Sequence, residues 1–237
     1  MWNSAESVQA RLRAVMERIG SAARAAGRDP ASVSLVAVSK TFPAEAVAAA
    51  HAAGQQAFGE NYVQEAVDKI ATLGPQRSQL QWHFVGPIQS NKTRVIAEQF
   101  DWVQSIDRLK VAQRLSEQRP AGLAPLNVLL QVNISGEASK SGIAPADVQA
   151  LARAVGQLPR LKLRGLMAIP EPERDAARQR APLAAMRALF DRLRAAAFDI
   201  DTLSMGMSAD LESAVLEGST MVRIGTAIFG ERERRQQ

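Results

Sequence analysis

Eight short apolar runs, separated by segments of helical periodicity, constrain this chain more than any other feature. The runs are residues 33–39, 56–59, 81–86, 102–106, 128–133, 163–169, 203–205 and 221–225. Between them, residues 44–53, 108–117, 146–157 and 183–197 read as helices, the last with Leu183, Met186, Phe190 and Leu193 at helical spacing. Regular strand-then-helix alternation calls for a parallel sheet, and eight is the number of strands that closes a barrel. Runs such as Val128-Leu129-Leu130-Gln131-Val132 are apolar on both faces, which suits burial between a barrel interior and a ring of helices. The fold class is therefore α/β, a single (β/α)8 TIM barrel. An open doubly wound sheet is the rival, but Ser39-Lys40-Thr41-Phe42-Pro43 stands after the first strand where that fold would carry a glycine-rich dinucleotide loop.

An extra helix precedes the barrel. Residues 4–24 place Val8, Leu12, Val15, Met16 and Ile19 on one face, Asn3 and Glu6 are spaced as a capping box, and Gly27, Asp29 and Pro30 end the segment. With no linker or short-period repeat, residues 1–237 read as one domain.

Composition narrows the chemistry. The chain has no cysteine and two histidines, His51 and His83, so disulfides, thiolate metal sites and a histidine-rich metal centre are not expected. The net charge of +5 and the isoelectric point near 10.1 invite a nucleic-acid reading. The arginines are scattered along helices, however, with the densest run at residues 232–235, and aromatics are 5% and do not interleave with them. A solvated basic surface is the expectation. The first residues lack a basic and apolar leader and no run approaches a membrane span, so a cytoplasmic location is expected.

Lys40 is the first candidate for chemistry. The pleat places Val36, Val38 and Lys40 on one side and Leu35, Ala37 and Ser39 on the other. If Val36 and Val38 face inward, Lys40 emerges at the C-terminal mouth, where barrels build their sites. A lysine among apolar neighbours loses hydration, which favours the neutral, nucleophilic amine that attacks an aldehyde. A strand-end lysine whose head reaches water is the plain alternative.

The far end of the chain supplies an anion site. Ser204-Met205-Gly206-Met207-Ser208-Ala209-Asp210 follows the seventh strand and opens a helix, and Arg223-Ile224-Gly225-Thr226 ends the eighth. A serine hydroxyl and glycine-exposed backbone N–H groups bind phosphate, as barrels often do after these two strands. Turn glycines and a helix-capping serine are the ordinary reading of each residue alone. Closure sets this pocket beside Lys40. Arg223 is either a surface ion-pairing residue or, if it points inward from the eighth strand, a permanent cation that disfavours a second positive charge on whatever group faces it.

The sequence resembles the pyridoxal phosphate (PLP) homeostasis family, also called the YggS/PROSC family, which shares the barrel of alanine racemase. The matching segments are residues 36–40 (Val-Ala-Val-Ser-Lys), 58–65 (Phe-Gly-Glu-Asn-Tyr-Val-Gln-Glu), 82–92, 131–135, 164–167 and 203–210, with Pro87 a minor departure. The resemblance implies a barrel of the alanine racemase N-terminal domain type with PLP as cofactor. It implies Lys40 as the Schiff-base lysine, Ser208, Gly225 and Thr226 around the phosphate, Arg223 at the pyridine nitrogen and Asn61 near the ring, with Met205 completing the cofactor-binding set. No metal ligand and no separate catalytic residue is assigned. His83 faces either the mouth or the core, Glu60 and Asn61 fall on a loop where a helix cap is the alternative role, and Lys140 lies in a polar mouth loop of residues 135–142. Lys92 falls in the first turns of a helix.

A carrier that stores or delivers PLP is expected rather than an enzyme. Racemases of this barrel type carry an added β-rich domain, and only fourteen residues follow Arg223 here. A PLP-dependent amino-acid racemase is the alternative, and a Schiff-base aldolase a more distant one, since its lysine would sit on a later strand. The expected partners are PLP and apoenzymes that receive it, with no specific nucleic acid and no membrane, and the protein is expected to be a monomer.

Overall fold

The computed structural model describes residues 5–136, 141–173 and 175–231. Its strands are β1 (Ser34–Val38), β2 (Ala57–Glu60), β3 (Gln81–Phe84), β4 (Trp102–Ile106), β5 (Leu126–Gln131), β6 (Leu161–Met167), β7 (Thr202–Ser204) and β8 (Met221–Ile224). All pair in parallel and in chain order, and β8 closes on β1 to complete the barrel. The helices are α1 (Ala5–Ala25), α2 (Ala44–Ala52), α3 (Val63–Thr72), α4 (Thr93–Gln99), α5 (Leu109–Gln118), α6 (Val148–Gly156), α7 (Ala176–Ala195), α8 (Leu211–Leu216) and α9 (Thr226–Phe229). Among the described residues no helix is long and apolar enough to cross a membrane.

All eight sequence runs become strands, and the alternation within them sorts side chains into two cores. Leu35, Ala37, Phe58, Val128, Leu130, Leu203 and Val222 join the helices in a large outer cluster. Val36, Trp102, Leu129, Met167 and Met221 form a small inner cluster that fills the barrel. Each strand must be apolar on both faces to serve both, which is why the runs lack polar alternation. One turn of the pleat toward the C-terminal end, the inner positions switch to polar residues: Gln104 follows Trp102, Gln131 follows Leu129 and Arg223 follows Met221. A plugged lower barrel and a polar upper one result.

α1 lies across the end of the barrel closure, packing on α2, α8 and α9. Val8, Leu12, Val15 and Ile19 are buried as their spacing requires, but Met16 is 48% exposed, because the contact stripe is narrower than the apolar one. Asn3 of the expected capping box and the arginine run at residues 232–235 lie outside the described residues.

Candidate functional site

The inward direction of Val36 in β1 fixes the place of Lys40. Val36 belongs to the inner cluster and pairs in register with Arg223 of β8, so both stand on the barrel's inner wall. Lys40 lies four residues further along, past the end of the strand and half-buried at the C-terminal mouth. The residue after it, Thr41, has φ +70°, a left-handed conformation rare for a β-branched side chain. The chain thus turns sharply as it leaves Lys40.

Arg223 is 4% exposed and held by neutral oxygens: Nη1 donates to Ser204 Oγ at 2.7 Å and Nη2 to the Ala168 carbonyl at 2.9 Å. Burial pushes its pKa down to about 10, with Asp210 pulling the other way, so it remains a cation at neutral pH. Ser204 Oγ in turn donates to Gln104 Oε1 at 2.7 Å, and Gln104 Nε2 donates to His83 Nδ1 at 2.9 Å. Every donor in this chain points the same way, from Arg223 to His83. The network therefore assigns the His83 proton to Nε2. His83 is 1% exposed, stacked on Trp102 with centroids 5.2 Å apart, and burial pushes its pKa down to about 3. It is a neutral interior residue of the polar layer, and its Nε2 is buried with no protein partner.

The two loops expected to form an anion site meet in the structure. Ala227 N donates to Ser208 Oγ at 3.4 Å, tying the loop after β7 to the first turn of α9, which begins at Thr226 after Gly225. Within that turn the Ile228 and Phe229 N–H groups are taken up by the Gly225 carbonyl, each at 2.9 Å. A side chain at Gly225 would place its Cβ 3.1 Å from the Val38 carbonyl, so the glycine lets β8 pass close under the end of β1. Gly206 adopts φ +100°, and a Cβ there would lie 2.5 Å from that of Ala214. Ser208 does not cap the next helix as its sequence position suggested: Asp210 holds the N-cap position of α8, and its Oδ1 accepts from Met207 N at 2.6 Å.

The wall on the other side of β1 is set by Asn61, just past β2. A Cβ at Gly86 would stand 2.4 Å from the Asn61 carbonyl oxygen, so only glycine lets the β3 loop pack against it, and Ser105 Oγ fixes the Gly86 carbonyl at 2.6 Å. Asn61 Oδ1 is buried without a protein partner, an acceptor aimed at something the chain itself does not supply.

Lys40, Asn61, Ser208, Arg223, Gly225 and Thr226 thus gather at one end of the barrel. Met205 does not join them through its side chain. That side chain alternates outward from Ser204 into the helix-facing core, and the residue's N–H and carbonyl are bonded to Met221 and Ser219. Glu60 is not a loop or capping residue either. It ends β2 facing outward, fully buried, and α3 starts at Val63 with Tyr62 in the N-cap position and no side-chain cap. Lys92 ends a 3-10 turn leading into α4. Lys140 lies outside the described residues. Gln104, Ser204 and Lys69 were not legible as site-shaping residues, although the inward alternation of Trp102, Gln104 and of Thr202, Ser204 is the signal that finds the first two.

A closed parallel barrel with an inward arginine on β8, a half-buried lysine past the end of β1 and the loop after β7 tied to the turn after β8 defines the class, a (β/α)8 TIM barrel with polar residues gathered at its C-terminal mouth. Consistent with this, residues 10–233 match the alanine racemase N-terminal domain family. The chain is 66% identical over 219 residues to the pyridoxal phosphate homeostasis protein of Pseudomonas aeruginosa, covering 92% of this chain and 93% of that one. It is 57% identical over 225 residues to the protein of the same name from Escherichia coli K12, covering 94% and 95%. Among solved structures, PipY of Synechococcus elongatus with PLP bound superposes with a TM-score of 0.82 at 38% identity, covering 94% of this chain and all of that one. The chain belongs to the pyridoxal phosphate homeostasis protein family.

Proposed function

We propose that this chain is a single PLP-binding domain that holds the cofactor as a Schiff base on Lys40 and serves intracellular PLP homeostasis as a carrier. The observation that carries the reading is the register of Val36 with Arg223, which sets a buried guanidinium on the inner wall beneath the lysine's strand end. Ser208, Gly225 and Thr226 would hold the phosphate, and the unpartnered Asn61 Oδ1 fits a polar substituent of the ring. When bound, PLP supplies an aldehyde for the lysine and a pyridine ring that withdraws electrons most strongly when its nitrogen is protonated. Arg223, as a lasting cation that donates only, opposes that protonation. The relatives' shared name and the PLP in PipY support the same reading.

In this reading the protein works as a cytoplasmic monomer, hands PLP to apoenzymes and turns over no substrate of its own. Spectroscopic titration of the apoprotein with PLP tests it. The wild type should become coloured and yield PLP fixed to Lys40 after borohydride reduction, and Lys40→Ala should do neither. A colourless wild type would overturn PLP binding. Racemisation of an amino acid at roughly 1 per second or faster would overturn the carrier role in favour of a racemase.

A further inference from the structure

Behind Lys40, on the outer side of β1 and β2, lies a buried charge cluster that the cofactor site does not use. Lys69 of α3 is 5% exposed and Glu60 fully buried. The Lys69 ammonium donates to Glu60 Oε1 at 2.8 Å, Glu65 Oε1 at 2.6 Å and the Ser39 carbonyl at 2.7 Å, one acceptor for each of its three N–H groups. Ser39 Oγ donates to the same Glu60 oxygen at 2.6 Å, and the Thr41 N–H donates to the same Glu65 oxygen at 2.5 Å. Both neighbours of Lys40 are therefore tied to one ammonium and its two carboxylates.

Such a cluster is a poor device for stability alone, since desolvating the Lys69 and Glu60 charges offsets much of their attraction while Glu65 stays partly exposed, and apolar replacements of a buried pair are often neutral or better. Its geometry points to another use. A β-branched residue in the left-handed region costs about 1–2 kcal/mol and persists only when its surroundings impose it. At Thr41 two contacts impose it, the turn bond from Phe42 N–H to the Ser39 carbonyl at 3.0 Å and the hydrogen bond to Glu65, and Ser39 is held from its other side by Gly59, whose carbonyl accepts the Ser39 N–H at 3.0 Å. With the backbone fixed on both sides, the direction in which Lys40 leaves the chain is fixed too.

We propose that Lys69, Glu60 and Glu65 form a positioning clamp that aims Lys40 into the barrel mouth for attack on an aldehyde. The proposal rests on Lys40 being the covalent lysine. In the step served, the neutral Nζ lone pair bonds the aldehyde carbon, the carbonyl oxygen departs as water with both amine hydrogens, and C=N replaces C=O. None of the three clamp residues touches the aldehyde; they set the angle of approach, where a displacement of about 1 Å costs up to a hundredfold in rate.

The test uses the full chain and three ligands: PLP, pyridoxal, which has the aldehyde but no phosphate, and pyridoxine 5'-phosphate, which has the phosphate but no aldehyde. Glu65→Ala and Lys69→Met should slow borohydride-trappable bond formation with both aldehydes by roughly ten- to a hundredfold and leave pyridoxine 5'-phosphate affinity unchanged. Glu65→Gln, which keeps an acceptor for Thr41 N–H, should retain most of the rate. Ser208→Ala should show the reverse pattern, weakening both phosphorylated ligands and sparing pyridoxal. A Glu65→Ala protein that reacts at the wild-type rate, whatever its melting temperature, overturns the clamp. So does a parallel loss of pyridoxine 5'-phosphate binding, which would mark the cluster as a support for the whole mouth. If reduction of the wild type leaves no label on Lys40 by mass spectrometry, the covalent reading itself has failed, and the clamp with it.

Discussion

Arg223 and Ser204 face each other across the β7–β8 boundary, with the guanidinium Nη1 2.7 Å from the hydroxyl oxygen. That oxygen accepts from the arginine and donates onward to Gln104, so the arginine's orientation is set by a polar chain that reaches His83. The barrel interior thus spends its upper layer on holding one cation in place. Replacing Arg223 with Gln should strip the donor from Ser204 or from the Ala168 carbonyl, at about 1–3 kcal/mol for each buried acceptor left unsatisfied. It should also let the pyridine nitrogen of bound PLP take a proton more easily. The nitrogen chemical shift of 15N-labelled PLP, followed against pH in wild type and Arg223→Gln, checks this: an unchanged titration would remove Arg223 from the ring nitrogen.

The helix that precedes the barrel reaches the Ser208 loop directly. Arg18 of α1 donates to the Ser208 carbonyl at 3.1 Å while bonding both carboxylate oxygens of Glu212 at 2.7 and 2.9 Å. The pair is exposed, so Arg18→Ala should change stability by less than about 1 kcal/mol. Its effect should appear in the dissociation rate of PLP, raised several-fold, because the Ser208 loop loses an anchor. An unchanged off-rate in a dissociation assay with an apoenzyme trap would confine Arg18 to surface packing.

The barrel was legible because its constraint is periodic: each strand must be apolar on two faces, and that leaves a visible run. Lys40, Ser208 and Arg223 stood out as candidates because strand ends are where a barrel exposes chemistry. What escaped the sequence is whatever depends on which face a single residue takes. Met205 lies within a conspicuous motif but alternates outward. Lys69, within Val-Asp-Lys-Ile-Ala-Thr, reads as one more solvated helix lysine until β2 brings Glu60 beneath it. Its i,i+4 spacing from Glu65 was the one local hint.

Two backbones touch at Gly86 and Asn61, and the contact has no room for a methyl group. A Cβ at Gly86 would lie 2.4 Å from the Asn61 carbonyl oxygen and 2.8 Å from its Cα. Gly86→Ala must therefore displace the Asn61 turn, with an expected cost of about 1–3 kcal/mol from overpacking. PLP affinity should fall with it, because Asn61 Oδ1 moves away from the mouth. Isothermal titration alongside thermal unfolding separates the two effects, and full affinity in a destabilised Gly86→Ala protein would show that Asn61 does not contact the ligand.

His83 gives the protein a definite acid limb. Burial lowers its pKa from the usual 6.5 to about 3. Above pH 6.5 neither the folded nor the unfolded chain protonates this ring, so it has no influence on stability. Between pH 6.5 and about 3 the unfolded chain takes up a proton that the folded chain refuses, and stability falls with pH at up to about 1.4 kcal/mol per unit. Below that range both states are protonated and the loss stops growing. His83→Gln keeps an acceptor for Gln104 Nε2 but does not titrate. Burial raises the Glu60 carboxyl above its ordinary value, and that contribution is common to both proteins and cancels in the comparison. Urea unfolding at pH 7.5 and 5.5 should therefore show the wild type losing about 1.4 kcal/mol more than His83→Gln. Parallel losses in the two proteins would mean that His83 takes up its proton in the folded barrel as readily as in water.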